Sequence, residues 1–144
     1  MAEATILKKT RRQVVVKAVG TGAYYANLTS FLHESTNTTS HVVVDQFFSE
    51  ANAVCTINDI IFSVDGNADI VREGNGVNNT VLTVTAGQSN FSFSQYHGFT
   101  VNENANANIK IDFGGSNGTI ILCLTKGDGF NDPNLQILPD YQRP

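Results

Sequence analysis

Short apolar segments of alternating character, about ten to fifteen residues apart and divided by Gly, Asn and Asp, recur from residue 13 to residue 124. A period of two puts apolar side chains on one face of a strand. The dividing residues are those that accept the backbone of tight turns. The segment 13–19, QVVVKAV, is rich in β-branched residues and ends at Gly20, Thr21 and Gly22, as a strand closing on a turn does. Cys55 and Ile57 share a face, Asn58 and Asp59 mark a turn or bulge, and Ile60, Phe62 and Val64 alternate toward Asp65 and Gly66, a hairpin signal. Residues 81–85 read as a strand, and Phe91 and Phe93 alternate with Ser, which puts both rings in the core. Ile109, Ile111 and Phe113 alternate with Lys110 and Asp112 before the turn at 114–118. The apolar run 120–124 then completes a closing hairpin with a central strand. Residues 24–34 admit a helical turn or an irregular strand, and the stretch 35–40, STNTTS, reads as a loop.

No amphipathic stretch of about ten residues supports a helix, so the chain is expected to be all-β. The expectation is a single-domain antiparallel sandwich or jelly-roll-like fold with extended N- and C-terminal tails. At 144 residues one core is the natural outcome, and a chain this long needs no metal or disulfide to stand alone. Charged residues make up only 15%, and sixteen Asn, fourteen Thr and nine Ser take their place, which suits strands and turns. Three segments are expected: a basic N-terminal arm over 1–12, a β-sandwich body over 13–129 and a Pro-rich extended tail over 130–144.

The charge is unevenly placed. Residues 1–17 carry five basic groups against Glu3, or +4, while residues 18–144 carry four basic and twelve acidic groups, or −8. The arm's Lys8, Lys9, Arg11 and Arg12 are therefore candidate contacts to an acidic neighbour, though a merely solvated basic start gives the same pattern. In the tail, Leu135, Ile137, Leu138 and Tyr141 lie between Pro133, Pro139 and Pro144. Proline stiffens such a segment, and its apolar side chains call for a groove on a neighbouring subunit or on the chain's own domain.

Catalytic and cofactor patterns fail on inspection. Gly20 and Gly22 lack the third glycine of a dinucleotide turn, since Tyr25 stands there. Asp65, Asn67 and Asp69 start like a calcium loop, but Ile70 replaces the required Gly and Gly76 the bidentate Glu. A looser ion site from Asp128, Asn131 and Asp132 is a weaker candidate, since such turns are ordinarily only turns. His33, His41 and His97 are scattered, Cys55 and Cys123 lack metal-ligand spacing, and residues 87–90 miss the nucleophile elbow at its last glycine. No enzyme activity, cofactor or metal is expected, and both cysteines are read as core thiols. The five N-x-S/T sequons are what so Asn- and Thr-rich a chain yields by chance. No apolar run approaches the roughly 20 residues of a membrane span, and the start lacks a signal-peptide core, so neither membrane nor export is expected. Tyr24, Tyr25, Phe47, Phe48, Phe91, Phe93, Tyr96 and Phe99 could build a stacking platform. Without tryptophan and with an acidic body, sugar and nucleic-acid readings both lose ground, and no nucleic-acid partner is expected.

The basic start, QVVVKAVG, IFSVDGNADIVRE followed by VLTVTAG, and the closing GGSNGTIILCLTKGDG together resemble small structural proteins of tailed bacteriophages, marine cyanophages especially. The resemblance covers about residues 12–129. It implies a non-enzymatic virion component, first a capsid decoration (cement) protein that stabilises the head, with a tail, neck or adaptor component as the alternative. It also implies assembly in the host cytoplasm, the major capsid protein or other virion proteins as partners, and a homo-oligomer, a trimer if the protein decorates a capsid. Low surface charge fits close packing of many copies. A carbohydrate-binding β-sandwich module is the more distant alternative.

Overall fold

The structure, a computed structural model, describes residues 2–10, 12–31, 34–37, 42–45, 54–74, 77–93 and 108–127. In chain order its strands are β1 (Ala2–Glu3), β2 (Thr5–Lys9), β3 (Gln13–Gly20), β4 (Ala23–Ala26), β5 (Glu34–Asn37) and β6 (Val42–Asp45). The second half adds β7 (Cys55–Val64), β8 (Ala68–Gly74), β9 (Val77–Val84), β10 (Gly87–Ser92), β11 (Asn108–Asp112) and β12 (Gly118–Lys126). The undecided stretch 24–34 divides between both readings, with β4 followed by a 3₁₀ turn at Leu28–Phe31. Ser35, Thr36 and Asn37, expected in a loop, lie in β5, which forms a two-stranded ribbon with β6.

Sheet I runs β1-β4-β11-β8-β9 and sheet II runs β10-β7-β12-β3-β2. Read from the same side, the orders match strand for strand, so each of these strands has a chain neighbour in the other sheet, while β2–β3 and β8–β9 lie side by side within a sheet. That is the jelly-roll arrangement, formed by β3, β4 and β7 to β12 and widened at one edge by β1 and β2. Inward residues of both sheets, among them Val14, Val16, Ile57, Ile60, Ile70, Ile109, Ile111, Ile120, Leu122 and Phe113, make one core.

This arrangement changes two hairpin expectations. Asp65 and Gly66, and the turn at 114–118, do not join partners within a sheet; they carry the chain across the core from β7 to β8 and from β11 to β12. Phe62 and Val64 on β7 and Ala68 and Ile70 on β8 thereby enter one interior from opposite sheets. The two crossings brace each other. Asn117 N donates to Asp65 Oδ1 at 2.7 Å, and Asp65 N donates to Asn117 O at 3.0 Å. At Gly118 the chain runs so close to β7 that an added Cβ would meet Ser63 O and, at 2.7 Å, Val64 Cα.

The arm expected over residues 1–12 is largely strand. β1 pairs in parallel with β4 in sheet I, β2 pairs with β3 in sheet II, and buried Ala4 bridges them, its N–H donating to Tyr25 O at 2.9 Å. The tail over 130–144 lies outside the described residues.

Two cations lie inside one end of the sandwich. Arg72, on β8, is fully buried and donates from Nη2 across the core to Cys55 O on β7, while Lys126, at the end of β12, is buried and donates from Nζ to Phe31 O. These bonds tie sheet I to sheet II and sheet II to the 3₁₀ turn where apolar contact alone would allow sliding. Burial lowers the Arg72 pKa below its usual value. It also pushes the Cys55 thiol from the ordinary 9.0 up to about 12, with Arg72 and Lys126 opposing.

Arg72→Ala removes a charged hydrogen bond and opens a cavity, and is expected to cost about 3 kcal/mol in urea unfolding. Lys110→Ala, at the half-exposed pair with Glu73, should cost under about 1 kcal/mol. For Cys55 the folded pKa lies above the unfolded one, so its contribution is complete below pH 9 and lost as pH rises toward 12. Cys55→Ala should therefore flatten, by up to about 1.4 kcal/mol per pH unit, the alkaline fall in stability measured by denaturation at stepped pH.

Candidate functional site

The two outer faces of the sandwich differ in chemistry. On sheet I the outward side chains include two polar pairs, Lys110 Nζ 3.2 Å from Glu73 Oε1 and Thr83 Oγ1 donating to Asp69 Oδ1 at 2.6 Å, with Tyr25 and Val71 in the row of Lys110. The hydrogen bond to Glu73 holds the Lys110 pKa above its usual value. On sheet II the register aligns Asn90, Ile61, Ile121 and Lys17 in one row across β10, β7, β12 and β3. A second row holds Gln88, Ser63, Thr119 and Val19. A third places Asp59, Cys123, Val15 and Lys8 side by side.

Ile61 and Val19 are 46% and 51% exposed, and every large apolar residue exposed among the described residues, Leu7 and Phe91 included, belongs to a strand of sheet II. A shallow groove of about 530 Å³ lies over Ile61, Ser63, Gln88, Asn90, Thr119 and Ile121. The face is thus an apolar strip with amide and hydroxyl groups along one side, Lys8 and Lys17 along the other, and Asp59 beside Cys123. An apolar patch with a polar rim is what binding surfaces of proteins present.

Local sequence explains the strip. β3 and β12 are central strands with β-branched residues on both sides, so turning Val14, Val16, Ile120 and Leu122 inward necessarily turns Val15, Val19 and Ile121 outward. The β7 bulge at Asn58 and Asp59, read from the sequence, keeps Ile57 and Ile60 both inward and sets Asp59 opposite Cys123.

Of the expected contact residues, Lys8 borders this face, opposite Val15. Lys9 points elsewhere, its Nζ reaching Ser30 O at 3.4 Å, and exposed Arg12 precedes β3. Arg11, Leu135, Ile137, Leu138 and Tyr141 lie outside the described residues, as do Asp128, Asn131 and Asp132. Lys17 was not among the expected contacts. Its signal was the polar residue in the alternation of QVVVKAV, which assigns it to the face of Val15 and Val19.

Cys55 is core as expected, whereas Cys123 is half-buried on the outer face, and both thiols are free. Burial raises the Cys123 pKa, and the charge of Asp59 raises it further. The aromatic platform is not assembled from the described residues. Tyr24 stands edge-on to Phe113 at 5.8 Å with its hydroxyl donating to Val19 O at 2.6 Å. Phe91 is not in the core; on edge strand β10 it stacks on Phe62 at 5.7 Å and remains 41% exposed. Asp65 and Asp69, the start of the rejected calcium loop, accept hydrogen bonds from Asn117 N and Thr83 Oγ1. No protein-family model, curated protein or solved structure matches the chain.

Asp59→Asn removes a negative charge beside Cys123, so its thiol pKa should fall and its reaction with a thiol reagent at pH 8 quicken several-fold. Cys55 should stay unreacted until the protein is unfolded, and mass spectrometry of the labelled peptides distinguishes the two sites.

Proposed function

We propose that the chain is a non-enzymatic structural protein of a tailed-bacteriophage virion, a capsid decoration protein that strengthens the head by binding its shell. The observation that carries this reading is the apolar outer face of sheet II, where every exposed large apolar residue among the described residues belongs to a strand of that sheet. A protein of this kind needs one side for its partner and one for solvent, and the strip of Val15, Val19, Ile61 and Ile121 beside Lys8 and Lys17 supplies the first. Buried on docking, such side chains contribute about 25 cal/mol per Å², while the lysines favour an acidic partner and steer the approach.

The jelly roll adds support of a weaker kind, since viral capsid domains use it, but so do lectins, and a fold does not fix a function. The resemblance in the turn-and-strand segments supplies the virion setting and the trimer. The major capsid protein is the partner under this reading.

Quantitative mass spectrometry of purified virions tests it. Hundreds of copies per particle are expected; tens of copies would move the protein to tail, neck or adaptor, and absence from particles combined with signal on a glycan array would make it a carbohydrate-binding module. Replacing Lys8, Lys9, Arg11 and Arg12 by Ala should weaken attachment at low ionic strength and lose its effect at high salt. Unchanged incorporation would remove these cations from the interface.

A further inference from the structure

Of the four edges of the two sheets, three are blunted against a further strand and one is not. β1 is two residues long, β2 carries Lys8 and Lys9 and a bulge between Ile6 and Lys8, and the β8–β9 register shifts between Ile70 and Val71. Short strands, lysines and bulges are the devices that keep an edge from accepting another strand. β10 has none of them. Its six residues, Gly87–Ser92, are all exposed, hold no charge and no proline, and pair with β7 without a register shift.

The ladder fixes which backbone groups of β10 remain for a partner. Phe93 N donates to Asn58 O at 2.7 Å, and on the far side of β7 Asp65 N donates to Asn117 O at 3.0 Å. Hydrogen-bonding direction alternates along an antiparallel strand, so Asn58, Ile60 and Phe62 bond toward β10, and Ile61, Ser63 and Asp65 toward β12. Through the register, Gly87, Ser89 and Phe91 turn their N–H and C=O groups to β7, while Gln88 and Asn90 turn theirs to the open edge. Side chains alternate as well. Phe91 lies on the side of Ile60 and Phe62, stacked on Phe62 yet 41% exposed, and Gly87 lies on that same side, where an added Cβ would meet nothing within 4 Å.

We infer that two copies of the chain pair antiparallel through β10, about a two-fold axis normal to sheet II that passes between the two Ser89 residues. Gln88 and Asn90 of one copy then exchange backbone hydrogen bonds with Asn90 and Gln88 of the other, and each Phe91 closes over the other copy's Gly87. An aromatic ring across from a strand glycine covers the backbone that the glycine leaves bare. The strand is thus its own complement, which favours a second copy over an unrelated peptide as the occupant. Two five-stranded sheets become one of ten strands. Because the axis is normal to the sheet, the apolar strip at Ile61 and Ile121 stays open on the joined surface. The inference does not rest on the function proposed above; a trimer on a capsid would need surfaces other than this edge.

Sedimentation velocity across a concentration series should show the full chain passing from monomer to dimer. Asn90→Pro removes an N–H that points to the edge and spares the β7 ladder, so it should leave a monomer at every concentration with an unchanged urea midpoint. An oligomer that survives it, or a native chain that stays monomeric, overturns the inference. Should Asn90→Pro unfold the protein, crosslinking decides. The two Ser89 residues form a non-hydrogen-bonded pair, with Cα atoms about 4.5 Å apart and within disulfide reach. In a Cys123→Ser background, Ser89→Cys should therefore give a covalent dimer on mild oxidation, while Asn90→Cys, which faces Gln88, should not. Crosslinking at 90 rather than 89, at both alike or at neither overturns the pairing.

Discussion

Pairs of consecutive strands, β1–β2, β3–β4, β7–β8, β9–β10 and β11–β12, lie in opposite sheets around a shared interior, and most other features follow from that constraint. The connections at 65–67 and 113–117 therefore cross the core instead of reversing within a sheet, and the reciprocal bonds between Asp65 and Asn117 hold the crossings together. The close approach at Gly118 and the Arg72 bond to Cys55 O belong to the same geometry, one at each end of β7.

Because the interior takes one face of each strand, the other is left to the chemistry of a surface, and the two sheets resolve it differently. Sheet I carries an ion pair, Lys110–Glu73, and a hydroxyl–carboxylate bond, Thr83–Asp69, among its outward positions. Sheet II keeps β-branched side chains there, which leaves Val19 and Ile61 about half exposed. The polar but sparsely charged composition sharpens the difference, since few charges are available to break up the strip.

The all-β class, the strands β3, β7, β11 and β12 and an irregularity at Asn58 and Asp59 were legible in the sequence, because period-two alternation and turn residues act locally, whereas β1, β2 and β5 lack that alternation and were not. Which strands pair was not. Asp65 and Gly66 have the chemistry of a hairpin, and nothing local separates a reversal within one sheet from a passage between two. The run 120–124 was ambiguous for a related reason: Ile121 and Cys123 read as buried with their neighbours, since an apolar residue on a central strand gives no sign of whether a second layer covers it. The buried Arg72 was equally silent, as a lone arginine in IVRE reads as surface until β7 supplies the carbonyl it bonds. Lys17, by contrast, is assignable from the alternation of β3, which places it on the face of Val15 and Val19.

The central place of β12 in sheet II also governs when the fold can form. β12 pairs with β3 on one side and β7 on the other, joining Leu124 to Val14, partners 110 residues apart in the chain. Until β12 has left the ribosome, β3 and β7 have no common neighbour and the core lacks Ile120, Leu122 and Leu124. Long-range closure of this kind makes folding slow and leaves strand edges open meanwhile. The two sheets thus close only once β12 is present to join β3 to β7.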